Sequence, residues 1–269
     1  MADDESNRLG TYLRARRGLV SPERAGVVAH GRRRVPGLRR EEVAMLAGIS
    51  ADYYLRLERG RDRNPSPQVL DALARVLELS HVERDYLHGL AQPEPRARRP
   101  RRRVERVPER LHHLLRALDV PAFVEGRAFD VLASNDLARA LSPRLRPGEN
   151  RLRSLLLDPE EREFQVDWEA ATAGFVAAFR SSVGQAVDDA RVVELVGELS
   201  LASGHFRELW ARHDVRPLSG GTTTVRHPVV GELELHRDKL PVDDVVLVVY
   251  YADTGSASAE RLGLLASLV

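Results

Sequence analysis

One run of the chain leaves few folds open. In GLRREEVAMLAGISADYYLRLERGR, residues 37–61, a small residue, Ala44, precedes Gly48 by four positions, Ile49 and Ser50 follow, and Tyr54 and Leu57 come next at helical spacing. A helix carrying Ala44 admits a close neighbour, Gly48 permits a sharp turn, Ile49 packs beneath it, and Ser50 caps the free N–H groups of a second helix. Two short helices joined in this way form a helix-turn-helix. Tyr54 and Leu57 point inward on the second helix. Ala51, Asp52, Tyr53, Leu55 and Arg56 are left facing outward, where such a unit meets a DNA major groove.

The flanking sequence is helical as well. Leu9, Tyr12 and Leu13 share one helix face, as do Val69, Leu70, Leu73 and Leu77, and a further helix runs from Ser80 to Ala91. Ser66 followed by Pro67 marks one helix entry, and the S-x-x-E spacing of Ser80 and Glu83 marks another. The connection from Gly18 to Gly37 is long for a small helical domain, and it carries Arg32, Arg33 and Arg34. It is either a solvated loop or a nucleic-acid contact.

Behind this region lies QPEPRARRPRRRVERV, residues 92–107, where three prolines stand among seven arginines and little can anchor a core. We place the domain boundary there. Residues 1–107 carry 23 basic against 15 acidic side chains, whereas residues 108–269 carry 18 against 25. Only the front of the chain is therefore suited to a polyanion. The linker either follows the DNA backbone or minor groove or is a charged spacer.

After the linker, a helix over 108–118 precedes AFVEGRAFDVLAS, which reads as two strands around Gly126, and a helix follows Asn135. Three amphipathic helices are expected next, carrying Trp168, Ala171, Phe175 and Phe179, then Val192, Leu195, Val196 and Leu199, then Phe206, Leu209, Trp210 and His213. The β-branched, alternating segments GGTTTVRH, VVGELELHR and DVVLVVYYA predict three antiparallel strands, and a last helix spans 257–268.

The motifs carry a resemblance. Residues 5–91 resemble a helix-turn-helix domain of the Xre, or lambda-repressor-like, type, and GLRREEVAMLAGIS with YYLRLERGR is similar to the MmyB-like subgroup of bacterial regulators. VPAFVEGRAFDVLASNDLARAL, GELSLASGHFRELWARHDV and HPVVGELELHRDKL resemble stretches of that subgroup's C-terminal ligand-binding domain. The resemblance implies an all-α DNA-binding domain over 1–91, the linker over 92–107, and an α+β PAS-like domain with an antiparallel sheet over 108–269 that binds a ligand and dimerises. It also implies a largely apolar effector, lipid-like or fatty-acid-like. Where the wider Xre family often has Thr or Ser and then Gln, this chain has Arg39 and Arg40, a departure that favours phosphate neutralisation.

Roles follow from charge and position. Arg32, Arg33, Arg34, Arg39, Arg40, Arg59 and Arg61 are candidates for phosphate contacts, which give affinity without naming a sequence. Discrimination falls to the face that begins at the cap Ser50 and runs through Ala51, Asp52, Tyr53 and Arg56. Arg56 is the candidate for a bidentate contact to guanine. Asp52 either accepts from cytosine N4 or steadies its helix N-terminus; Tyr53 either touches DNA or packs on the turn. One such module makes an interface under about 1,000 Å², so a homodimer reading two half-sites is expected.

In the second domain Trp168, Phe175, Phe179, Phe206 and Trp210 either line a ligand pocket or form plain core. His227 either meets a ligand headgroup or holds a turn. No cofactor or metal is expected: the absence of cysteine removes thiol chemistry and cysteinyl metal sites, and no H-E-x-x-H, G-x-S-x-G or P-loop pattern occurs. The chain reads as a regulator and not an enzyme. Without a signal-like start or a long apolar run, a cytoplasmic protein with no membrane contact is expected. The competing reading makes the second domain a protein-interaction module with no ligand.

Overall fold

The computed structural model describes residues 7–27, 35–62, 64–92, 105–184, 189–217 and 219–268. They form two compact units, the first comprising the described residues up to 92 together with Glu208–Arg216, the second the remainder. Arg32, Arg33, Arg34 and most of the linker lie outside the described residues.

In the first unit all five expected helices are present: α1 (Arg8–Leu19), α2 (Arg40–Ala47), α3 (Ala51–Glu58), α4 (Pro67–Val76) and α5 (His81–Ala91). Their starts are set locally. Asn7, Ser50, Ser66 and Ser80 each accept a backbone N–H with their side chain, Pro67 opens α4, and Glu83 returns the Ser80 bond in a capping box; such caps contribute about 1 kcal/mol each. Leu13, Leu38, Val43, Tyr54, Leu57, Leu73, Leu77 and Leu87 close a core with almost no exposure. Val215 joins the same core, and its neighbours hold it there: Asp214 pairs with Arg16 at 2.7 Å, and the His213 ring stands edge-on to Tyr12.

The second unit is built on a five-stranded antiparallel sheet, consistent with a PAS-like architecture, in the order β2-β1-β5-β4-β3. The strands are β1 (Ala122–Glu125), β2 (Val131–Ser134), β3 (Gly221–His227), β4 (Gly231–Val242) and β5 (Val245–Tyr251). Alternation assigns the two faces. Ala122, Val124, Val245 and Leu247 pack with Leu111 and Leu115 of α6 (Glu109–Ala117). Phe123, Val248, Tyr250, Leu233, Leu235 and Val225 face the other way, against Ala138 and Leu141 of α7 (Asp136–Leu141) and Leu265 of the final helix (Ala257–Ala266).

Between β2 and β3 the chain makes α8 (Arg151–Leu157), α9 (Pro159–Phe164), α10 (Trp168–Val183), α11 (Ala190–Ala202) and α12 (Gly204–Ala211); the final helix is α13. Helices α8 and α9, and a 3-10 turn at Pro143–Leu145, add to the sequence reading, being too short for a periodic apolar stripe. Helix α12 ends at Ala211, before the expected His213, which takes φ 54°.

Candidate DNA interface and ligand site

Helix α2 ends at Gly48 in the left-handed region, φ 70°, and the Gly48 and Ile49 N–H groups return to Ala44 O, closing the turn. Ala44 is buried and Ile49 packs on the core. Ser50 Oγ accepts from Tyr53 N at 3.1 Å and starts α3. Tyr54, Leu57 and Glu58 face inward; Ala51, Asp52 and Arg56 face outward, with Tyr53 and Leu55 half-buried. Arg59 and Arg61 follow, exposed, around Gly60 at φ 66°.

A buried carboxylate fixes this presentation. Glu58 is fully enclosed, accepts from Arg17 Nε at 2.7 Å and from Arg40 Nε at 2.5 Å, and so ties α1 and the start of α2 to the end of α3. Arg17 also donates to Leu38 O at 2.8 Å. The Glu58 hydrogen bond raises the Arg40 guanidinium further above its ordinary value, and burial together with the Glu58 charge raises the Tyr54 phenol. Arg40 is thus anchored inward by one nitrogen while its side chain stays 42% exposed. Glu58 was missed in the sequence reading, although a glutamate four positions beyond Tyr54 and directly after Leu57 falls on the inward stripe.

On the outer face Arg56 and Asp52 pair at 2.6 Å, and the Arg56 guanidinium lies 5.6 Å from the Tyr53 ring centroid. Arg39 is exposed at the head of α2, its backbone N–H donating to Glu42 at 2.6 Å. Arg39, Asp52, Arg56, Arg59 and Arg61 are thereby brought to the accessible part of the motif.

The second unit gathers a different group. Alternation along β4 places Leu233 and Leu235 in the core, and the next two positions of that face are Arg237 and Lys239, charges where the pattern calls for apolar residues. Lys239 Nζ meets Glu125 at 2.5 Å with both side chains almost enclosed, and lies 4.7 Å from the Phe129 ring centroid. Burial pulls the Lys239 ammonium below its ordinary range against the Glu125 charge. Arg151, at the start of α8 and 5% exposed, reaches Tyr250 OH at 3.5 Å and Glu161 at 3.7 Å. Arg151, Arg237 and Lys239 all approach the Phe175 ring, at 5.7, 5.3 and 5.6 Å. Phe129 touches Phe175 and Phe179 edge-on and takes φ 63°, a strained backbone for a bulky residue.

Of the expected ligand residues, Phe175 and Phe179 therefore belong to one cluster, with Phe179 fully buried. Trp168 is engaged elsewhere: it stacks on His205 at 4.6 Å and donates to Leu155 O at 2.7 Å. Phe206 is fully buried, and Trp210 falls in the segment that packs with the first unit. His227 holds a turn. Its Nδ1 accepts from Val229 N and Val230 N at 3.2 and 3.3 Å, so Nε2 carries the proton and donates to Ala140 O at 3.0 Å. Arg151, Arg237 and Lys239 had no sequence assignment, yet Lys239 is the only lysine among 41 basic residues. Among the described residues no group of three or more His, Asp or Glu side chains is placed to hold a metal ion.

A helix-turn-helix with an exposed second helix, carried with a separate α+β unit, defines a transcription regulator that pairs a DNA-binding domain with a ligand-binding domain. Residues 8–87 match the helix-turn-helix domain family, and residues 107–265 match the family described as the MmyB-like transcription regulator ligand binding domain. The chain belongs to the MmyB-like transcription regulators. It is also similar to an uncharacterized HTH-type transcriptional regulator of Sinorhizobium fredii (strain NBRC 101917 / NGR234), with 51% identity over 51 residues. That stretch covers 19% of this chain and 65% of the relative.

Proposed function

We propose that the chain reads a DNA operator as a homodimer through α3 and adjusts its DNA affinity when the second unit binds an apolar small molecule. The observation that carries the reading is the division of α3: Tyr54, Leu57 and Glu58 are locked inside while Ala51, Asp52 and Arg56 stand outside. Arg56 reads a base edge, and Arg39, Arg40, Arg59 and Arg61, with Arg32, Arg33 and Arg34 on the preceding connection, neutralise phosphates.

The functional division runs from the DNA-binding domain, 1–91, across the linker, 92–107, to the sensing and dimerisation domain, 108–269. Two copies are needed because one module makes too small an interface for specific binding, and a dimer reads half-sites about 10 base pairs apart. The effector acts by population shift, through unequal affinity for DNA-competent and DNA-incompetent dimers. Phe175 and Phe179 contribute apolar contacts; no reaction is catalysed. The regulator works at DNA in the cytoplasm; no helix among the described residues is long and apolar enough to cross a membrane.

Selection of binding sites from a random duplex library tests this. The wild-type chain is expected to enrich a two-fold symmetric site, and Arg56→Ala to lose preference at one base position per half-site while keeping the others. Enrichment of no sequence would overturn the reading.

A further inference from the structure

We propose that Asp214 and Val215 form a latch through which the second domain governs the DNA-binding unit, and that the latched arrangement is the one competent to bind DNA. The inference rests on the DNA-reading role above and names how that role is regulated. The first observation is where the segment lies. Residues 107–265 match the ligand-binding family, yet Glu208–Arg216, inside that stretch, belong to the helical unit. The division falls within α12, whose Gly204–Arg207 belong to the second unit and whose remaining residues, to Ala211, belong to the first. One short helix is thus common to both, and a rigid element of this kind carries a displacement of its start to its end.

The second observation is how the segment is seated. Past α12 the chain turns at His213, φ 54°, and delivers Asp214 to α1 and Val215 to the helical core. Val215 is 4% exposed there, and the His213 ring stands edge-on to the enclosed Tyr12, centroids 6.3 Å apart. Arg16, one turn beyond Tyr12 on α1, pairs with Asp214 and with Glu83 of α5, both at 2.7 Å. The segment therefore grips α1, and the next residue of α1, Arg17, is the one that holds Glu58 at the end of α3. The outward face of α3 is left open, with the Asp52 and Arg56 side chains 72% and 47% exposed. A closed latch accordingly steadies the recognition helix without covering it.

The third observation is that the latch can open without stranding a charge. A buried ion pair resists separation because the partner left behind is uncompensated. Here Arg16 keeps Glu83 when Asp214 withdraws, and Asp214 keeps Arg212, 3.1 Å away. Val215 gives up its place in a core that retains Leu13, Leu73 and Leu87. Pairing with a substitute on each side suits an element that has two arrangements, the physical requirement for coupling.

The test uses the full chain, each variant checked for native circular dichroism, with two DNA probes: a duplex selected by the wild type from the random library, and a scrambled duplex. Asp214→Asn is expected to weaken binding to the selected duplex about fivefold or more, the lower end of typical coupling, and Asp214→Glu to recover most of that loss. Because the chain has no cysteine, Arg16→Cys combined with Asp214→Cys can be joined by a short bismaleimide. The joined form is expected to bind as tightly as the wild type, and the same variant before joining to bind more weakly. Coupling is reciprocal, so the selected duplex should slow amide hydrogen exchange across 208–216 in the wild type; a merely structural contact would exchange at the same rate with and without DNA. Exchange unchanged by DNA, or Asp214→Asn binding as tightly as the wild type or tighter, would overturn the latch. Equal slowing by the scrambled duplex would sink the operator reading alone and leave the latch supported.

Discussion

Arg56 donates to Asp52 at 2.6 Å, one helical turn back along α3, so the residue proposed to read a base is tethered by a carboxylate on the same outward face. An exposed pair at this spacing stabilises a helix by only about 0.3–0.5 kcal/mol. On the proposed reading its larger effect is expected on DNA binding, where Asp52 would both occupy Arg56 and repel phosphate. Asp52→Asn is expected to leave folding stability within about 0.5 kcal/mol. It should also tighten DNA binding and steepen the salt dependence of log Kobs by up to about 0.9, the value of one added phosphate contact. Fluorescence anisotropy between about 50 and about 200 mM salt checks this; weaker binding by Asp52→Asn would instead give Asp52 a direct contact.

Glu58 shows how the recognition helix is held. It is fully buried between Arg17 and Arg40, so Glu58→Gln leaves the enclosed Arg17 without its counter-charge. Removing one partner of a buried pair costs about 3–5 kcal/mol. Urea unfolding followed by far-ultraviolet circular dichroism should show a loss of that size. A loss under about 1 kcal/mol would mean that packing alone positions α3.

Two glycines give opposite expectations. A Cβ on Gly10 would lie 2.3 Å from the Glu58 carbonyl oxygen, a backbone atom that cannot rotate away, whereas a Cβ on Gly263 of α13 meets nothing within 4 Å. Gly10→Ala must push α1 off α3, at about 1–3 kcal/mol for overpacking. Gly263→Ala gains about 0.5–1 kcal/mol, because alanine loses less backbone freedom in a helix. Thermal unfolding of the two variants should move the midpoint in opposite directions.

The helix-turn-helix was legible because its signals are local: Gly48 for the turn, Ser50 for the cap, Tyr54 and Leu57 for the inward stripe. The strands were legible for the same reason, from alternation and turn residues. What pairs across the fold was not. Nothing near Glu58 in sequence names Arg17 as its partner, 41 positions away, and nothing near Lys239 names Glu125, 114 positions away. The aromatic residues on α10 and α12 shared a periodicity, yet Phe175 and Phe179 turn to Phe129 while Trp168 turns to His205, because each helix has its own neighbours. The break in β4 alternation at Arg237 and Lys239 was the one sequence sign of the cluster.

Asp130 sets an expectation for acid stability. It receives Arg191 through two nitrogens, at 2.6 and 2.9 Å, and Asn150 at 2.9 Å. Burial pushes its carboxyl up, but these hydrogen bonds outweigh burial and hold it below the ordinary range. A carboxyl lowered in the folded state stabilises the fold fully above its unfolded pKa of about 3.9, and the contribution is lost as pH falls through the folded value, because the unfolded chain binds the proton first. Asp130→Asn should therefore be less stable than the wild type at neutral pH, with the gap closing as pH drops below about 4. Urea midpoints measured down that range decide the matter, since a gap that stays constant would assign the contribution of Asp130 to its shape and neutral hydrogen bonds and not to its charge.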